Sequence, residues 1–259
     1  MKHKIFLILI LSLFSFSFSN LHADDFSDAV VKAKKNFKEA ADKNDQKELI
    51  KVRGQFERTL QLKKNQWLVN YYLAHVDLEL SYSAMQKKDN DGLKKYTQSC
   101  LELLDKSTDS KDDFAEAYIL KMSANSNRFI YEFDKMNDII AKLAEAEDMA
   151  KKLDPDNPRY HLVKGTNTYY TPEQFGGGPD AALPLLEKSF DLFKTYKPKD
   201  ETYPDWGNDI AAGMIALCFI QKDKMDEAKK WIDKGLEINP ESGFVSVYVM
   251  KAYEDKNKK

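Results

Sequence analysis

Cysteine is scarce in this sequence, which contains only Cys100 and Cys218 among its 259 residues. Small domains that depend on disulfide bonds for stability are much richer in cysteine. The two cysteines are also far apart along the chain, and each lies in an apolar helical pattern. We therefore expect two buried thiols, with a disulfide as the less favoured alternative.

The sequence also lacks an excess of either charge. It has 40 basic and 42 acidic side chains, and a formal net charge of −2. A chain so balanced has no strong electrostatic attraction to nucleic acid or to anionic lipid. The 32% of charged residues instead indicates well-solvated helix faces.

Sequence patterns of catalytic and metal sites are missing as well. After the first 23 residues the only histidines are His75 and His161, and neither has a second His or Cys at the spacing of a zinc site. No Gly-x-Ser-x-Gly or His-Glu-x-x-His pattern occurs, and residues 89–92 do not continue as a calcium loop. We therefore expect no catalytic residue, no metal and no cofactor.

The first 23 residues have the pattern of a secretory signal peptide. A basic start with Lys2 and Lys4 precedes an apolar run over residues 5–14, and small Ala23 comes just before the first acidic residues. We expect cleavage after Ala23, with Ser19 as an alternative. A membrane anchor is less favoured because a spanning helix needs about 20 apolar residues. No cysteine near the cleavage site could accept a lipid. We thus expect a periplasmic or secreted protein without stable membrane insertion, and the removal of Lys2 and Lys4 would leave 38 basic residues against 42 acidic ones.

Apolar residues recur at intervals of three and four almost everywhere in the remaining chain, as in Leu49, Val52, Phe56 and Leu60. This spacing predicts amphipathic helices. Turn-forming segments, such as residues 89–92 and 176–178, separate the helical stripes. The pattern predicts an all-α protein with ten or eleven helices between Ser27 and Tyr253, joined by short turns into about five antiparallel hairpins.

Small residues and proline recur at fixed intervals in the C-terminal half. Ala216 is followed by Ala228, Gly235 and Pro240 at steps of twelve, seven and five residues. This spacing resembles that of the tetratricopeptide repeat (TPR) family, in which small residues let two helices approach closely. The family resemblance implies an α-α superhelix, and an extra helix over residues 242–253 would cap its apolar end.

The resemblance to the repeat varies along the chain. It is specific over residues 158–242, it covers residues 112–157 with a longer connection, and before residue 112 it rests on periodicity alone. We therefore divide the sequence into a signal peptide (1–23), degenerate N-terminal hairpins (24–111) and TPR-like repeats with a capping helix (112–259).

The loop over residues 172–178, Pro-Glu-Gln-Phe-Gly-Gly-Gly, resembles a motif of exported bacterial TPR proteins and also one of TRAP transporter T-component proteins. A phosphate-binding loop is a second interpretation of the glycines, but it requires a preceding strand and a Lys-Ser/Thr pair that this sequence lacks. Free N–H groups of the following helix could still bind an anion, although Asp180 already offsets the helix dipole. We favour a structural turn that needs the backbone freedom of glycine.

In TPR proteins the first helix of each pair lines a concave, partner-binding surface. The resemblance implies that this surface includes seven residues, although core packing competes for the same positions. They are Glu116, Asn127, Arg159, Leu162, Thr166, Tyr169 and Tyr170.

The function that the resemblance implies is a scaffold that holds a protein or peptide partner in the cell envelope. Two alternatives remain open, a periplasmic small-ligand-binding component associated with a solute transporter and an envelope enzyme on a helical-repeat fold. Nucleic acid is not an expected partner, and the oligomeric state is not predicted.

Overall fold

The computed structural model describes residues 21–258. Most of the predicted signal peptide lies outside this range. The described chain contains eleven α-helices and no strand, so the predicted all-α class and helix number are confirmed. The helices are α1 (Leu21–Asp42), α2 (Gln46–Leu60), α3 (Gln66–Gln86), α4 (Asn90–Ser110), α5 (Ala115–Arg128), α6 (Met136–Leu153), α7 (Pro158–Tyr170), α8 (Pro179–Phe193), α9 (Asn208–Gln221), α10 (Met225–Ile238) and α11 (Met250–Asn257).

Consecutive helices pack as hairpins, and the hairpins stack in chain order. The pairs are α1/α2, α3/α4, α5/α6, α7/α8 and α9/α10, and the second helix of a pair usually contacts the first helix of the next pair. A π-helical segment, Phe244–Val249, leads into α11 and packs on α9 and α10. The predicted superhelix of five hairpins with a terminal capping helix is therefore confirmed.

Helix boundaries follow local chemistry. Asp45 accepts hydrogen bonds from the backbone N–H groups at the start of α2, and Asp89 does the same for α4. Asn157 caps α7, whose first residue is Pro158. These residues stabilise helix starts by satisfying N–H groups that have no partner within the helix.

The small residues of the repeat allow close helix packing. Ala216, Ala228 and Gly235 are buried between α9, α10 and the π-helical segment. A Cβ atom at Gly165 of α7 would lie 2.7 Å from the side chain of Leu186 in α8. Any larger residue at Gly165 would therefore push these two helices apart.

The core has an N-terminal part, a C-terminal part and a smaller part between them. Trp206 packs against all three. It lies in the long connection between α8 and α9, residues 194–207, which we call the α8–α9 linker. The linker therefore joins parts of the protein that are distant in sequence.

Both cysteines are buried, reduced thiols, as the sequence indicated. Within residues 21–258, no helix is long and apolar enough to cross a membrane.

Candidate functional site

The first helices of the hairpins are α1, α3, α5, α7 and α9, and each contacts the next one in the series. We call the surface that they form the inner face of the superhelix. The α8–α9 linker covers the half of this face that lies near the N-terminal ends of α3, α5 and α7. The Tyr72 hydroxyl donates a hydrogen bond to the Thr202 carbonyl oxygen at 2.6 Å, and Trp206 Nε1 donates one to the Tyr71 hydroxyl at 2.9 Å. Lys34 Nζ of α1 donates to the carbonyl oxygen of Tyr203 at 2.6 Å. This half of the inner face is therefore occupied by the chain itself.

His75 is enclosed by the linker and α1. Its ring centroid lies 4.8 Å from those of both Phe37 and Trp206. Burial lowers the pKa of His75 to about 3, and the positive charge of Arg159 acts in the same direction. His75 is therefore neutral at physiological pH, so it contributes no positive charge at the inner face.

Two of the seven predicted binding residues form a buried ion pair under the linker. Arg159 Nε donates to Glu116 Oε2 at 2.7 Å, and Asn157 Nδ2 donates to Glu116 Oε1 at 2.8 Å. The Arg159 guanidinium also lies 4.4 Å from the ring centroid of Tyr196. The Arg159 side chain is 0% exposed and that of Glu116 6%. The structure therefore brings these two residues together and encloses both.

The other five predicted residues differ in their exposure. Leu162 lies in the core, and buried Asn127 donates a hydrogen bond from Nδ2 to Ser81 Oγ at 3.0 Å. Thr166 and Tyr169 are half-buried, whereas Tyr170 is 58% exposed. The binding role of all seven stays a prediction, and Tyr170 is the member most open to a partner.

The other half of the inner face is open, and Glu79 of α3 lies in it. Tyr71, His75 and Glu79 follow each other at intervals of four residues and so share one helix face. Trp206 of the linker contacts Tyr71 and His75, and the Glu79 side chain one turn further on is 27% exposed. Burial among the surrounding helices and the charge of Asp42 raise the pKa of Glu79 to about 7.

Tyrosines surround the open half. Tyr82 lies one turn after Glu79, and its phenol is near Ser123 of α5. The hydroxyl oxygens of Tyr170 and Tyr248 are 3.5 Å apart. Burial and then the hydrogen bond to Tyr248 raise the pKa of Tyr170, and the neighbouring phenols, including that of Tyr82, act in the same direction. We call this surface the inner groove, defined by Glu79, Tyr82, Ser123, Tyr170 and Tyr248.

The π-helical segment places Tyr248 in the groove. Phe244 and Tyr248 are stacked with ring centroids 5.6 Å apart, and Val247 beside them is 66% exposed. Short π-helical segments are rare and often occur at functional sites. The sequence analysis missed Glu79, Tyr82 and Tyr248, because α3 lacks the repeat spacing and residue 248 lies in the predicted cap. The sequence signal for Glu79 is weak, because it is one of two charged residues, with Asp77, in a largely apolar helix.

The superhelix closes beside Glu79. Asn239 Nδ2 donates to Asp42 Oδ1 at 3.0 Å and lies 3.2 Å from Asp209 Oδ2. A Cβ atom at Gly243 would lie 2.0 Å from the Asp42 carbonyl oxygen. The end of α1 is therefore in direct contact with the residue that precedes the π-helical segment. Asp42, whose charge acts on Glu79, thus lies at one end of the inner groove, and Asp209 is linked to it through Asn239.

The triple-glycine loop has the geometry of a structural turn. Gly176 and Gly178 have φ angles of +81° and +91°, which favour glycine. A Cβ atom at Gly177 would lie 2.1 Å from the Thr171 carbonyl oxygen. Asp180, at the start of α8, pairs with Lys222.

The loop also borders an open cleft of about 560 Å³. The wall of this cleft includes Tyr169 and Tyr170, so the cleft adjoins the inner groove.

In the part of the chain that the structure describes, no three or more His, Cys, Asp or Glu side chains are grouped so as to hold a metal ion.

Comparison with known proteins gives a fold. No family model and no curated protein sequence matches the chain. The structure is similar to the HusA haemophore from Porphyromonas gingivalis, with 22% identity, a TM-score of 0.61, and coverage of 77% of this chain and 94% of HusA. It is also similar to TTC0263, a thermophilic TPR protein in Thermus thermophilus, with 15% identity, a TM-score of 0.62, and coverage of 90% of this chain and 100% of TTC0263. At these identities the likenesses establish architecture, and the chain has a TPR-like helical-repeat fold.

Proposed function

We propose that this protein is an exported, non-catalytic binding protein that holds a protein or peptide in its inner groove and acts as a scaffold in the cell envelope. The signal-peptide pattern supports export, and the TPR-like fold supports binding through the inner face. Because the linker fills one half of that face, the partner binds in the other half.

The observation that carries this proposal is a set of exposed aromatic and apolar side chains in the groove and in the two segments that adjoin it, the glycine loop and the π-helical segment. Tyr170 is 58% exposed, Tyr248 46%, Val247 66% and Phe175 74%. Tyrosine is common among residues that dominate binding energy, since it combines a large apolar ring with a polar hydroxyl. Exposed apolar patches on soluble proteins often mark interaction sites.

Selection from a displayed random-peptide library tests the proposal. The wild-type protein should enrich peptides that bind reversibly. Tyr170→Ala combined with Tyr248→Ala should weaken the selected peptides by at least about 30-fold, because each side chain contributes on the scale of a binding hot spot.

Phe133→Ala is the matched control. Phe133 is 69% exposed and lies outside the groove, in the connection before α6. Its loss should leave peptide affinity unchanged. The proposal fails if no peptide is enriched, or if the double variant binds the selected peptides as well as Phe133→Ala does.

A small apolar ligand is a second candidate, consistent with the periplasmic ligand-binding alternative. Two observations favour it: the tyrosine-lined groove, and the structural similarity to a protein described as a haemophore. A haem titration followed by visible absorbance tests it directly. Saturable binding that is lost in the Tyr170→Ala, Tyr248→Ala variant would support this candidate, and the absence of saturable binding would eliminate haem as the ligand.

A further inference from the structure

Among the residues that the structure describes, Glu79 has no lysine or arginine partner. Within residues 21–258, its one neighbour at ion-pair distance is His75, whose Nε2 lies 3.9 Å from Glu79 Oε1. His75 is neutral at physiological pH, because its pKa is lowered to about 3. The carboxylate therefore lies partly desolvated and without a compensating positive charge.

The surroundings of Glu79 are acidic rather than basic. Asp42 of α1 adds negative charge, although Lys38 Nζ pairs with it at 2.6 Å. Asp209 of α9 is linked to Asp42 through Asn239. The other titratable groups of the groove are phenols, those of Tyr82 on α3 itself, Tyr170 on α7 and Tyr248 in the π-helical segment. A positive charge entering the groove would be attracted to Glu79 and would remove its unfavourable interaction with Asp42.

The tyrosines suit the same kind of ligand. Aromatic rings attract ammonium and guanidinium groups, and the attraction is stronger where the cation loses water. Tyr82 is close enough to Glu79 for the carboxylate charge to add to the burial that raises the pKa of Tyr82. An acceptor carboxylate beside several phenol rings is an arrangement that recognises a cation with an apolar stem.

We propose that the inner groove recognises a lysine or arginine side chain of the bound peptide, with Glu79 accepting its hydrogen bonds and Tyr82 and Tyr170 contacting its stem. The lysine or arginine is the part of the partner that reaches furthest into the groove. The peptide context rests on the proposed function, whereas the recognition of a cation by Glu79 can be measured without a peptide.

The direct test uses acetyl-arginine amide and acetyl-citrulline amide, which have nearly the same shape and differ in charge. Each compound is titrated into protein with 13C-labelled tyrosine rings, and the ring resonances are followed by NMR at pH 8. Acetyl-arginine amide should shift the signals of Tyr82 and Tyr170 saturably, and acetyl-citrulline amide should bind at least about fivefold more weakly.

Glu79→Gln preserves the shape of the side chain and should weaken the arginine compound by at least about fivefold. Glu48→Gln is the matched control, because Glu48 lies on α2 with its side chain 49% exposed, paired with Lys51. Thermal unfolding of both variants confirms that they are folded. Three results would each overturn the inference. They are equal binding of the two compounds, undiminished binding of acetyl-arginine amide by Glu79→Gln, and the absence of any saturable shift.

The outcomes separate this inference from the proposed function. If the arginine compound binds through Glu79 but no library peptide is enriched, the peptide-binding proposal fails and the cation site stands. If enriched peptides depend on Tyr170 and Tyr248, yet replacement of their basic residues or of Glu79 changes nothing, the cation site alone fails.

Discussion

Removal of Arg159 should destabilise the protein strongly, because it would leave the Glu116 carboxylate buried without a counter-charge. Arg159 is fully enclosed, and its guanidinium donates to both carboxylate oxygens of Glu116. Breaking a buried pair by removing one partner costs about 3–5 kcal/mol. For a chain of this size, that corresponds to a decrease in melting temperature of about 10 °C. Arg159→Met keeps most of the apolar stem and so isolates the effect of the charge.

The second half of this prediction concerns the double variant. Arg159→Met combined with Glu116→Met removes both charges, and buried ion pairs replaced by apolar residues often lose little stability. Asn157 Nδ2 would keep an acceptor, since Asp154 Oδ2 lies 3.1 Å away. The double variant should therefore recover at least about 2 kcal/mol relative to Arg159→Met.

Urea unfolding followed by far-UV circular dichroism measures these free energies, and fluorescence of a variant in which Trp67 and Trp231 are replaced by Phe reports on Trp206 in the linker. A stability of Arg159→Met within about 1 kcal/mol of the wild type, or a double variant less stable than the single one, would refute this prediction, because the Glu116 carboxylate would then not depend on Arg159 for its counter-charge.

Two further predictions concern Glu79 and the glycine loop. The pKa of Glu79 is raised from 4.5 to about 7 in the folded state. Between these two pH values the native state keeps a proton that the unfolded chain has already released. Glu79 therefore makes the protein less stable as pH rises from about 4.5 to 7. Glu79→Gln should therefore be more stable than the wild type by about 1–3 kcal/mol at pH 8 and no more stable at pH 4. Urea unfolding at the two pH values measures the difference. An equal difference at both would contradict the raised pKa of Glu79. Gly177→Ala should destabilise the protein by about 1–3 kcal/mol because its Cβ would lie 2.1 Å from the Thr171 carbonyl oxygen, and an unchanged melting temperature would show that the loop yields freely.

The fold was largely predictable because its signals are local. Helical periodicity depends on residues three and four apart, and the series Ala216, Ala228, Gly235 and Pro240 lies within one hairpin and its exit. The interpretation of the triple glycine as a turn is likewise local, since it depends on φ angles and on one close approach to Thr171. Each of these patterns can be recognised without knowing what lies beside the segment.

The candidate site was only partly predictable. The family resemblance placed the predicted binding residues on the first helices of the hairpins, but it could not distinguish the covered half of the inner face from the open half. Arg159 and Tyr170 lie on the same helix, yet the first is enclosed by the linker and the second is 58% exposed. Tyr248 was missed because its contact with Tyr170 joins residues 78 positions apart, and Glu79 was missed because α3 lacks the repeat spacing.

The sequence by itself determined the helices, their hairpin pairing and the small contact residues, because backbone hydrogen bonds and apolar stripes form between near neighbours. Only the tertiary structure decided where the inner face is open. The contact between Tyr72 and Thr202 joins residues 130 positions apart. No periodic pattern specifies such a contact, since it depends on how each hairpin is rotated against the next and on which loop the resulting curvature can accommodate.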